Sequence, residues 1–365
     1  MIHKSDFEKR KKIRKFFVFF FLILFAIIVI YLGLATLPLD KTSIAIDWKG
    51  IWLGLEDGKI RYGTGIRNPP WSLIPLVPLG LLPFFESWVL LSLVTLMALM
   101  ISIPKVINKQ KFLLGALLLT TSYPSIRHLV DGNLEALIIL GVLMLLLGYS
   151  SHNPLILAFG FLLASAKPQE TWILLLALFI NVLSFWKIKD LIICFAVVFS
   201  VVIPTMLMYG VEWLNSFVGI PQMGSIMDSS LITSMRRLGL PYWWTLLIWF
   251  FIFAPTLYLS FEKRERFSRI HTAFFISASL LLSPYAAANS LLTIVALGVI
   301  PLLFEHPIVG CFLIAIINLP YTFSSSFKYE WAATYGMLMF LLCWFIFGTY
   351  ISIKKSKNVP KQASS

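Results

Sequence analysis

The chain begins with a long apolar run that extends from Phe16 to Leu39, 24 residues without a charged side chain. About 20 apolar residues are enough for an α-helix to cross the hydrocarbon of a bilayer, so this run predicts a transmembrane helix. Its N-terminal flank is crowded with basic residues, namely Lys4, Lys9, Arg10, Lys11, Lys12, Arg14 and Lys15. Because Lys and Arg are enriched on cytoplasmic flanks, we expect a cytoplasmic N-terminus. No cleavage site typical of a signal peptide follows the run, which favours an anchored helix.

The composition extends this interpretation to the whole chain. Hydrophobic residues make up 59% of the sequence and charged residues only 13%, which is typical of a polytopic membrane protein and excludes a soluble domain of useful size. The net charge of +13 resides in short loops between apolar runs, so membrane topology and anionic lipids explain it better than a nucleic-acid partner does. Cys194, Cys311 and Cys343 lie inside apolar segments without paired spacing. We therefore expect no disulfide, no metal site and no cofactor.

The hydropathy pattern predicts an all-α bundle of about 12 transmembrane helices, several of them short. The expected crossings are residues 16–37, 84–103, 112–126, 133–148, 154–166, 171–186, 190–209, 242–261, 270–283, 291–304, 307–323 and 332–353. Loops assigned to the cytoplasm hold most of the 30 Lys and Arg residues. We expect one integral membrane domain over residues 1–353 and a disordered cytoplasmic tail over 354–365. Both termini are then cytoplasmic, and the predicted location is the plasma membrane of a prokaryotic-type cell.

Several of the predicted crossings are too short for a bilayer. Thirteen helical residues rise only about 20 Å, against roughly 30 Å of hydrocarbon, so their polar tips should lie below the membrane surface. Three such tips point outward: Arg127 to Asn133, Lys167 to Glu170, and Ser283 to Asn289. Polar backbone at that depth is tolerated where it lines protein or a wet cavity. Residues 71–83 are apolar but rich in proline, which predicts an interfacial or re-entrant segment.

The first outer loop has a pattern of its own. Trp48, Ile51, Trp52 and Leu55 recur at helical spacing, which predicts a short interfacial helix with its apolar stripe on the bilayer. Asp47 would lie at the start of this helix, where the helix dipole favours the ionised carboxylate. A carboxylate fixed just outside the membrane suits a general base that acts on lipid-linked substrates. The alternative interpretation of Asp47 is a solvated loop acid.

The candidate site residues fit sugar transfer from a polyprenyl phosphate, in which a base deprotonates the acceptor hydroxyl and cations neutralise the leaving phosphate. Asp47 is the candidate base, and Lys167 and Arg127 are the candidate cations. Lys167 could instead be a snorkelling lysine at a helix end. Arg127 could instead form a structural ion-pair group with Asp131 and Glu135.

Further candidate substrate-binding residues flank the same tips, and each has a structural alternative. They are Arg67, Asn68, His128, Asn133, Gln169, Glu170, Tyr285 and Asn289. Arg67 could be an interfacial anchor and Asn68-Pro69-Pro70 a simple turn. His128 is interpreted as a hydrogen-bonding wall residue, because no second histidine lies near it in the sequence. Tyr285 and Asn289 could serve packing alone.

The order of these motifs resembles glycosyltransferase family eighty-seven. The resemblance rests on Asp47, Asn68-Pro69-Pro70, Gly132-Asn133-Leu134-Glu135, Lys167-Pro168-Gln169 and Ser283-Pro284, and it covers about residues 16 to 305. It implies the GT-C membrane fold and a polyprenyl-phosphate-mannose-dependent α-mannosyltransferase. It also implies that Asp47 is the general base and that Lys167-Pro168-Gln169 belongs to the donor pocket. The family often has Gly-Gln with a following Asn, and His after Ser-Pro, where this chain has Gly132-Asn133 and Tyr285.

We therefore expect a membrane glycosyltransferase that moves a hexose, with mannose favoured, to a lipid or glycan acceptor on the outer face. A single carboxylate base favours direct inverting displacement, and no metal is expected. The predicted partners are the polyprenyl-phosphate sugar, the acceptor and membrane lipids. Two alternatives stay open at this point. A transporter or flippase of lipid-linked sugars would also bury charges at broken helices, and a membrane-bound acyltransferase would use a histidine at membrane depth, for which His128 is the candidate.

Overall fold

A computed structural model describes residues 28–37, 44–62, 66–104, 108–214, 230–261, 267–322 and 332–357. The structure is 84% helical, and the described residues contain no β-strand, which confirms the all-α class. Most of the first predicted crossing, the middle of the outer loop over 215–229 and the end of the tail over 358–365 lie outside the described residues. The predictions made for the first crossing and for residues 358–365 of the tail are therefore not addressed by the structure.

Fourteen helices are numbered here in chain order. They are α1 (Ile46–Leu55), α2 (Phe84–Ser102), α3 (Lys109–Thr121), α4 (Tyr123–Asp131), α5 (Glu135–Ser150), α6 (Pro154–Ala164), α7 (Pro168–Phe185), α8 (Ile188–Tyr209), α9 (Leu231–Arg237), α10 (Tyr242–Phe261), α11 (Arg269–Leu282), α12 (Ala288–Glu305), α13 (Pro307–Ile317) and α14 (Met337–Lys357). Three short helical turns, Pro70–Leu73, Ile74–Leu76 and Val77–Gly80, separate α1 from α2. The proline-rich segment before α2 thus forms a short apolar helical stretch over Pro70–Gly80, and its interfacial or re-entrant placement stays a prediction.

Six helices in the described part of the chain are long and apolar enough to cross a membrane. They are α2, α7, α8, α10, α12 and the stretch Thr334–Ile351, most of which belongs to α14. The pair α4 and α5 would add a seventh span, although the two helices are bent by 120°. These helices support a membrane-embedded protein. The expected count of about 12 crossings stays a prediction, because the remaining apolar segments such as α6 and α13 hold only 10–17 residues.

The helices pack around α12, which is almost wholly buried. Helix α11 packs against α7, α12 and α14, and α2 packs against α5. Helices α8 and α10 lie at the edge and present large apolar side chains outward, among them Leu207 at 82% and Tyr258 at 75% exposure. An apolar surface of this extent is unfavourable in water and suits contact with lipid. The exterior therefore agrees with the membrane class indicated by composition.

Helices α5 and α6 form the most closely packed pair in the bundle. A Cβ atom on Gly141 of α5 would lie 2.4 Å from the backbone nitrogen of Ala164 in α6. Small residues allow helix backbones to approach in this way in membrane bundles. The hairpin ends beside Lys167 and so fixes one wall of the polar centre described below.

The structure corrects two boundaries near the first polar tip. The predicted crossing 112–126 is interrupted at Ser122, whose backbone is extended (φ −63°, ψ 147°). A new helix, α4, begins there because Pro124, which has no N–H to donate, is accommodated in a first helical turn. The tip predicted from Arg127 to Asn133 is consequently helical as far as Asp131. The chain turns only at Gly132 to Leu134, where α5 begins.

The expected orientation of the first-loop helix is also wrong. Helix α1 forms over the predicted residues, but its apolar stripe faces protein: Trp48 and Leu55 are fully buried. The indole of Trp48 donates to Ser87 Oγ at 2.9 Å, and that of Trp52 donates to the Leu82 carbonyl at 2.9 Å. The physical reason is that the first turn of α2 and the segment before it pack against the stripe and offer hydrogen-bond partners for both indoles. Helix α1 is thereby fixed to the bundle.

Candidate functional site

The position of Asp47 is set by backbone contacts between α1 and the turn between α4 and α5. The Ala45 N–H, just before α1, donates to the Val130 carbonyl of α4 at 2.8 Å. Gly132 occupies the left-handed region at φ +69°, and a Cβ atom there would lie 2.4 Å from Trp48 Cβ. Only glycine fits such a close approach at positive φ. The neighbour of Trp48, Asp47, is therefore held against the same turn.

Two amides from separate segments bind one oxygen of Asp47. Asn133 Nδ2 donates to Asp47 Oδ2 at 2.5 Å, and Asn289 Nδ2 lies 3.4 Å from the same oxygen. The Asn133 amide orientation is defined, because its Oδ1 accepts the Leu134 N–H at 2.7 Å. Asp47 Oδ1 accepts no hydrogen bond from the described residues. One oxygen is thus anchored, and the other is available to a substrate.

The surroundings of Asp47 adjust its proton affinity. Burial raises the pKa of Asp47 above the ordinary value of 3.8, while the nearby Lys167 ammonium and the hydrogen bond from Asn133 act in the opposite direction. Arg67 and Arg127 add smaller electrostatic contributions that also lower the pKa. A carboxylate with a raised pKa is a stronger base than a solvated aspartate. These features distinguish Asp47 from a loop acid exposed to water.

Lys167 lies in a buried ion-pair group that joins three helices. Its ammonium contacts Glu135 at the start of α5 and lies 3.0 Å from Glu170 Oε1 in the first turn of α7. Thr293 of α12 donates to the other oxygen of Glu135 at 2.9 Å. Lys167 is 8% exposed, and both glutamates are fully buried. The lysine charge is therefore already balanced by carboxylates.

Arg127 and His128, consecutive in α4, occupy different environments. Arg127 pairs with Asp131 one helical turn later at 2.7 Å, and a quarter of its side chain is exposed. His128 is buried, with Nε2 2.9 Å from Thr95 Oγ1 of α2. Its Nδ1 is enclosed without a partner among the described atoms. The structure thus brings Arg127 to the site and holds His128 between α4 and α2.

The residues that follow the first loop fasten it to the turn between α6 and α7. Asn68 Nδ2 donates to the carbonyl of Ala166, the residue before Lys167, at 2.8 Å. The Asn68 carbonyl in turn accepts the Tyr62 hydroxyl at 2.9 Å. Arg67 is exposed and close enough to act electrostatically on Asp47. Asn68 therefore has a structural contact, whereas Arg67 is exposed to solvent near Asp47.

The third tip meets the start of α7. Ser283 Oγ donates to the Gln169 carbonyl at 2.7 Å, and Tyr285 is half-buried nearby in sequence. The side-chain oxygens Gln169 Oε1 and Asn289 Oδ1 are buried and lack hydrogen-bond partners in the described structure. The segment from Ser283 to Asn289 thus contributes a structural contact through Ser283 and one residue beside Asp47, Asn289.

Two polar residues of the centre were missed in the sequence. Ser290 lies near the Glu170 carboxylate without a hydrogen bond to it, and Thr293 donates to Glu135 Oε2 at 2.9 Å. Both lie in an apolar helix, three residues apart, and so share a face. That spacing is the signal that could have indicated a polar stripe toward the site. Within the described ranges, no group of three or more His, Cys, Asp or Glu side chains is arranged to hold a metal ion.

The fold and the site together define an all-α membrane protein with a polar centre where broken helices meet around one aspartate. Comparisons of this chain with known protein families, with curated proteins and with solved structures find no match.

Proposed function

We propose that this chain is a membrane glycosyltransferase that moves a hexose from a polyprenyl phosphate to a lipid or glycan acceptor. The observation that carries the proposal is Asp47, whose Oδ2 is bound by Asn133 and Asn289 while Oδ1 accepts no hydrogen bond from the described residues. Three broken segments converge at this carboxylate. The GT-C fold, the predicted outer-face location and mannose as the sugar belong to the same proposal.

The reaction follows from the geometry of the aspartate. Asp47 Oδ1 accepts the proton of an acceptor hydroxyl, and the oxygen of that hydroxyl attacks the anomeric carbon of the donor sugar. The bond between the anomeric carbon and the phosphate oxygen breaks as the new bond forms, and the polyprenyl phosphate leaves. The two amides keep the carboxylate oriented through this step, which reduces the cost of positioning. A single nucleophilic displacement inverts the anomeric configuration.

The leaving phosphate needs a cation that an entering ligand can reach. Lys167 is enclosed between Glu135 and Glu170, which favours a structural role for its charge. Arg67 is exposed and Arg127 is partly exposed, so both are accessible to a ligand that enters the site. Arginine also suits a phosphate because its planar guanidinium donates two parallel hydrogen bonds. We therefore assign phosphate binding to the arginines and the support of the site to Lys167.

The test compares Asp47→Asn with Asp57→Asn in purified, reconstituted protein. Loss of a positioned general base typically lowers the rate about 10²- to 10⁴-fold, so Asp47→Asn should abolish measurable transfer. Asp57 is a matched control: it is largely exposed, forms only a surface pair with Arg61, and has a left-handed backbone (φ 66°) that asparagine tolerates. The measurement is transfer from a radiolabelled mannosyl polyprenyl phosphate, with product identification by mass spectrometry.

The same experiment addresses the alternative of a transporter or flippase. Buried charges at a helix pair bent by 120° are also found in transporters, so this class has structural support of its own. A flippase would move the labelled lipid across the bilayer without forming a new glycosidic product, and it would tolerate Asp47→Asn better. Wild-type transfer by Asp47→Asn would show that the base assignment is wrong.

A further inference from the structure

The buried cluster of Glu135, Lys167 and Glu170 contains one basic and two acidic side chains. Both glutamates are fully buried, and Lys167 is 8% exposed. The Lys167 ammonium contacts both carboxyl groups, so their oxygens lie within a few ångströms of each other. If all three groups were ionised, one negative charge would stay uncompensated away from water. Such a charge is costly enough that the buried group binds a proton instead.

The two carboxyl groups differ in their hydrogen bonds. Glu135 Oε1 accepts from the Lys167 ammonium, and Glu135 Oε2 accepts from Thr293 Oγ1 at 2.9 Å. Neither oxygen of Glu170 accepts a hydrogen bond in the described structure, although Oε1 lies 3.0 Å from Lys167 Nζ. Hydrogen-bond donors stabilise the ionised form of a carboxyl group. Glu135 is therefore the ionised partner of Lys167, and Glu170 is the group that favours the neutral form.

The other helices around α7 leave this charge balance unchanged. Helices α6, α10 and α11 pack against α7. Ser279, near the end of α11, accepts the Ile173 N–H of α7 at 3.1 Å, so Arg269 and His271 in the first turn of α11 lie at the far end of that helix. Helix α6 has no titratable side chain, and those of α10 are tyrosines. The titratable residues outside the cluster that interact with the Lys167 charge are Asp47, His128 and Asp131.

We propose that Glu170 holds a proton in the folded protein, so that the cluster consists of one ion pair, Lys167 with Glu135, and one neutral carboxylic acid. A protonated carboxyl group has an O–H donor, and the Glu135 carboxylate beside it is an acceptor. Two carboxyl groups at such short range ionise one at a time. A proton also suits a position where both Glu170 oxygens are enclosed, because a hard metal cation would need several oxygen ligands around it.

The proton on Glu170 connects the cluster to the candidate base. The charge of Lys167 also acts on Asp47 and lowers the pKa of that carboxyl group. Loss of the Glu170 proton would place a second negative charge beside the same ammonium and weaken this effect. The proton itself does not depend on the proposed sugar transfer, since a transporter with this cluster would hold it equally.

Infrared difference spectroscopy on the full chain in lipid nanodiscs at neutral pH tests the protonation directly. The difference between the wild type and Glu170→Gln should contain the C=O band of a protonated carboxylic acid, and this band should shift in heavy water. The control is Glu86→Gln, the same change at an exposed residue in the first turn of α2. Its difference spectrum should contain a carboxylate band, because an exposed glutamate is ionised at neutral pH.

The dependence of stability on pH gives a second measurement, made by equilibrium denaturation in detergent. A glutamate in the unfolded chain releases its proton at about pH 4.3, whereas Glu170 in the folded protein keeps it. Above that pH the wild type should lose stability relative to Glu170→Gln, by about tenfold in the unfolding equilibrium constant per pH unit, until the folded protein also releases the proton. The wild type compared with Glu86→Gln should show no such slope.

A carboxylate band in the Glu170→Gln difference spectrum, or a stability difference that does not change with pH, would overturn the proposal. Stabilisation by Na⁺ at constant ionic strength, present in the wild type and absent from Glu170→Gln, would also overturn it, because a metal cation would then replace the proton.

If Glu170→Gln does not fold, the wild type is produced with glutamate labelled in its carboxyl carbon. The acid band should then shift, and an unshifted band would assign the proton to an aspartic acid and contradict the proposal. None of these measurements involves turnover, so they stand or fail separately from the Asp47→Asn test of transfer.

Discussion

The substitution Gly132→Ala is expected to damage the site without touching any candidate catalytic group. Gly132 has φ +69°, and the added Cβ would lie 2.4 Å from Trp48 Cβ. Trp48 Cβ is fixed to the backbone of α1, so no change of rotamer relieves the collision. The two segments must separate by about 1 Å to reach an ordinary van der Waals contact, which begins at 3.4 Å. Asp47, the neighbour of Trp48, moves with them.

Two contributions to the effect can be separated by a control. The positive φ alone costs an alanine about 1–2 kcal/mol. Overpacking adds about 1–3 kcal/mol, and a misplacement of about 1 Å at a catalytic group can lower the rate roughly 10²-fold. Gly239 has nearly the same backbone angle, φ +70°, but nothing lies within 4 Å of a Cβ built there. Gly239→Ala therefore has the free-energy cost of a positive φ at alanine but no steric clash of the added Cβ atom.

The assay is sugar transfer by both variants in nanodiscs, together with their apparent melting temperatures. We expect Gly239→Ala to lose a little stability and to retain its turnover, whereas Gly132→Ala loses more stability and about two orders of magnitude in rate. Equal turnover of the two variants would refute the reasoning that contact with this glycine positions the aspartate.

Three further outcomes are expected. Lys167→Ala leaves two buried carboxyl groups without their counter-charge and should destabilise the protein by about 3–5 kcal/mol, which a lower melting temperature would report. Glu170→Gln keeps the ion pair between Lys167 and Glu135, so it should lower the melting temperature less. Burial raises the pKa of Asp47, and the amide of Asn133 lowers it. Sugar transfer should therefore fall as the pH drops through that pKa and the base becomes protonated. Asn133→Leu removes the amide, so it should shift this acid limb of the pH–rate profile to higher pH. A reporter fused after Lys59 should be external, and cytoplasmic labelling there would overturn the predicted sidedness.

The long helices could be predicted from the sequence because apolar length alone defines them. The predicted crossings 84–103, 190–209 and 242–261 agree with α2, α8 and α10 within two residues at each end. The break at Ser122 was missed, because residues 112–126 carry no charged side chain and only Pro124 indicates a new helix. Hydropathy reports which residues avoid water, but it does not report where the backbone bends.

The sequence indicated several of the residues that lie near Asp47, but it did not indicate which side chains contact one another. Asp47 contacts Asn133 and Asn289 and lies near Lys167, so one residue of each of the three predicted polar tips lies beside the first loop. The partners of Lys167 depend on side-chain packing across three helices, which no local pattern encodes. The burial of Trp48 was missed for the same reason, since an apolar stripe looks alike whether protein or lipid covers it.

The shortness of α6 has a consequence for the bilayer itself. Eleven residues give a helix of about 16 Å, yet Leu155 and Phe159 on its surface are each 49% exposed. As one of the predicted crossings, α6 would leave a hydrophobic mismatch of nearly half the bilayer thickness, and the lipids that contact this face would have to thin to follow it. Lys167 lies three residues beyond the end of α6, so the polar centre would then lie beside thinned bilayer. We expect a lipid-linked substrate to approach the site from that side.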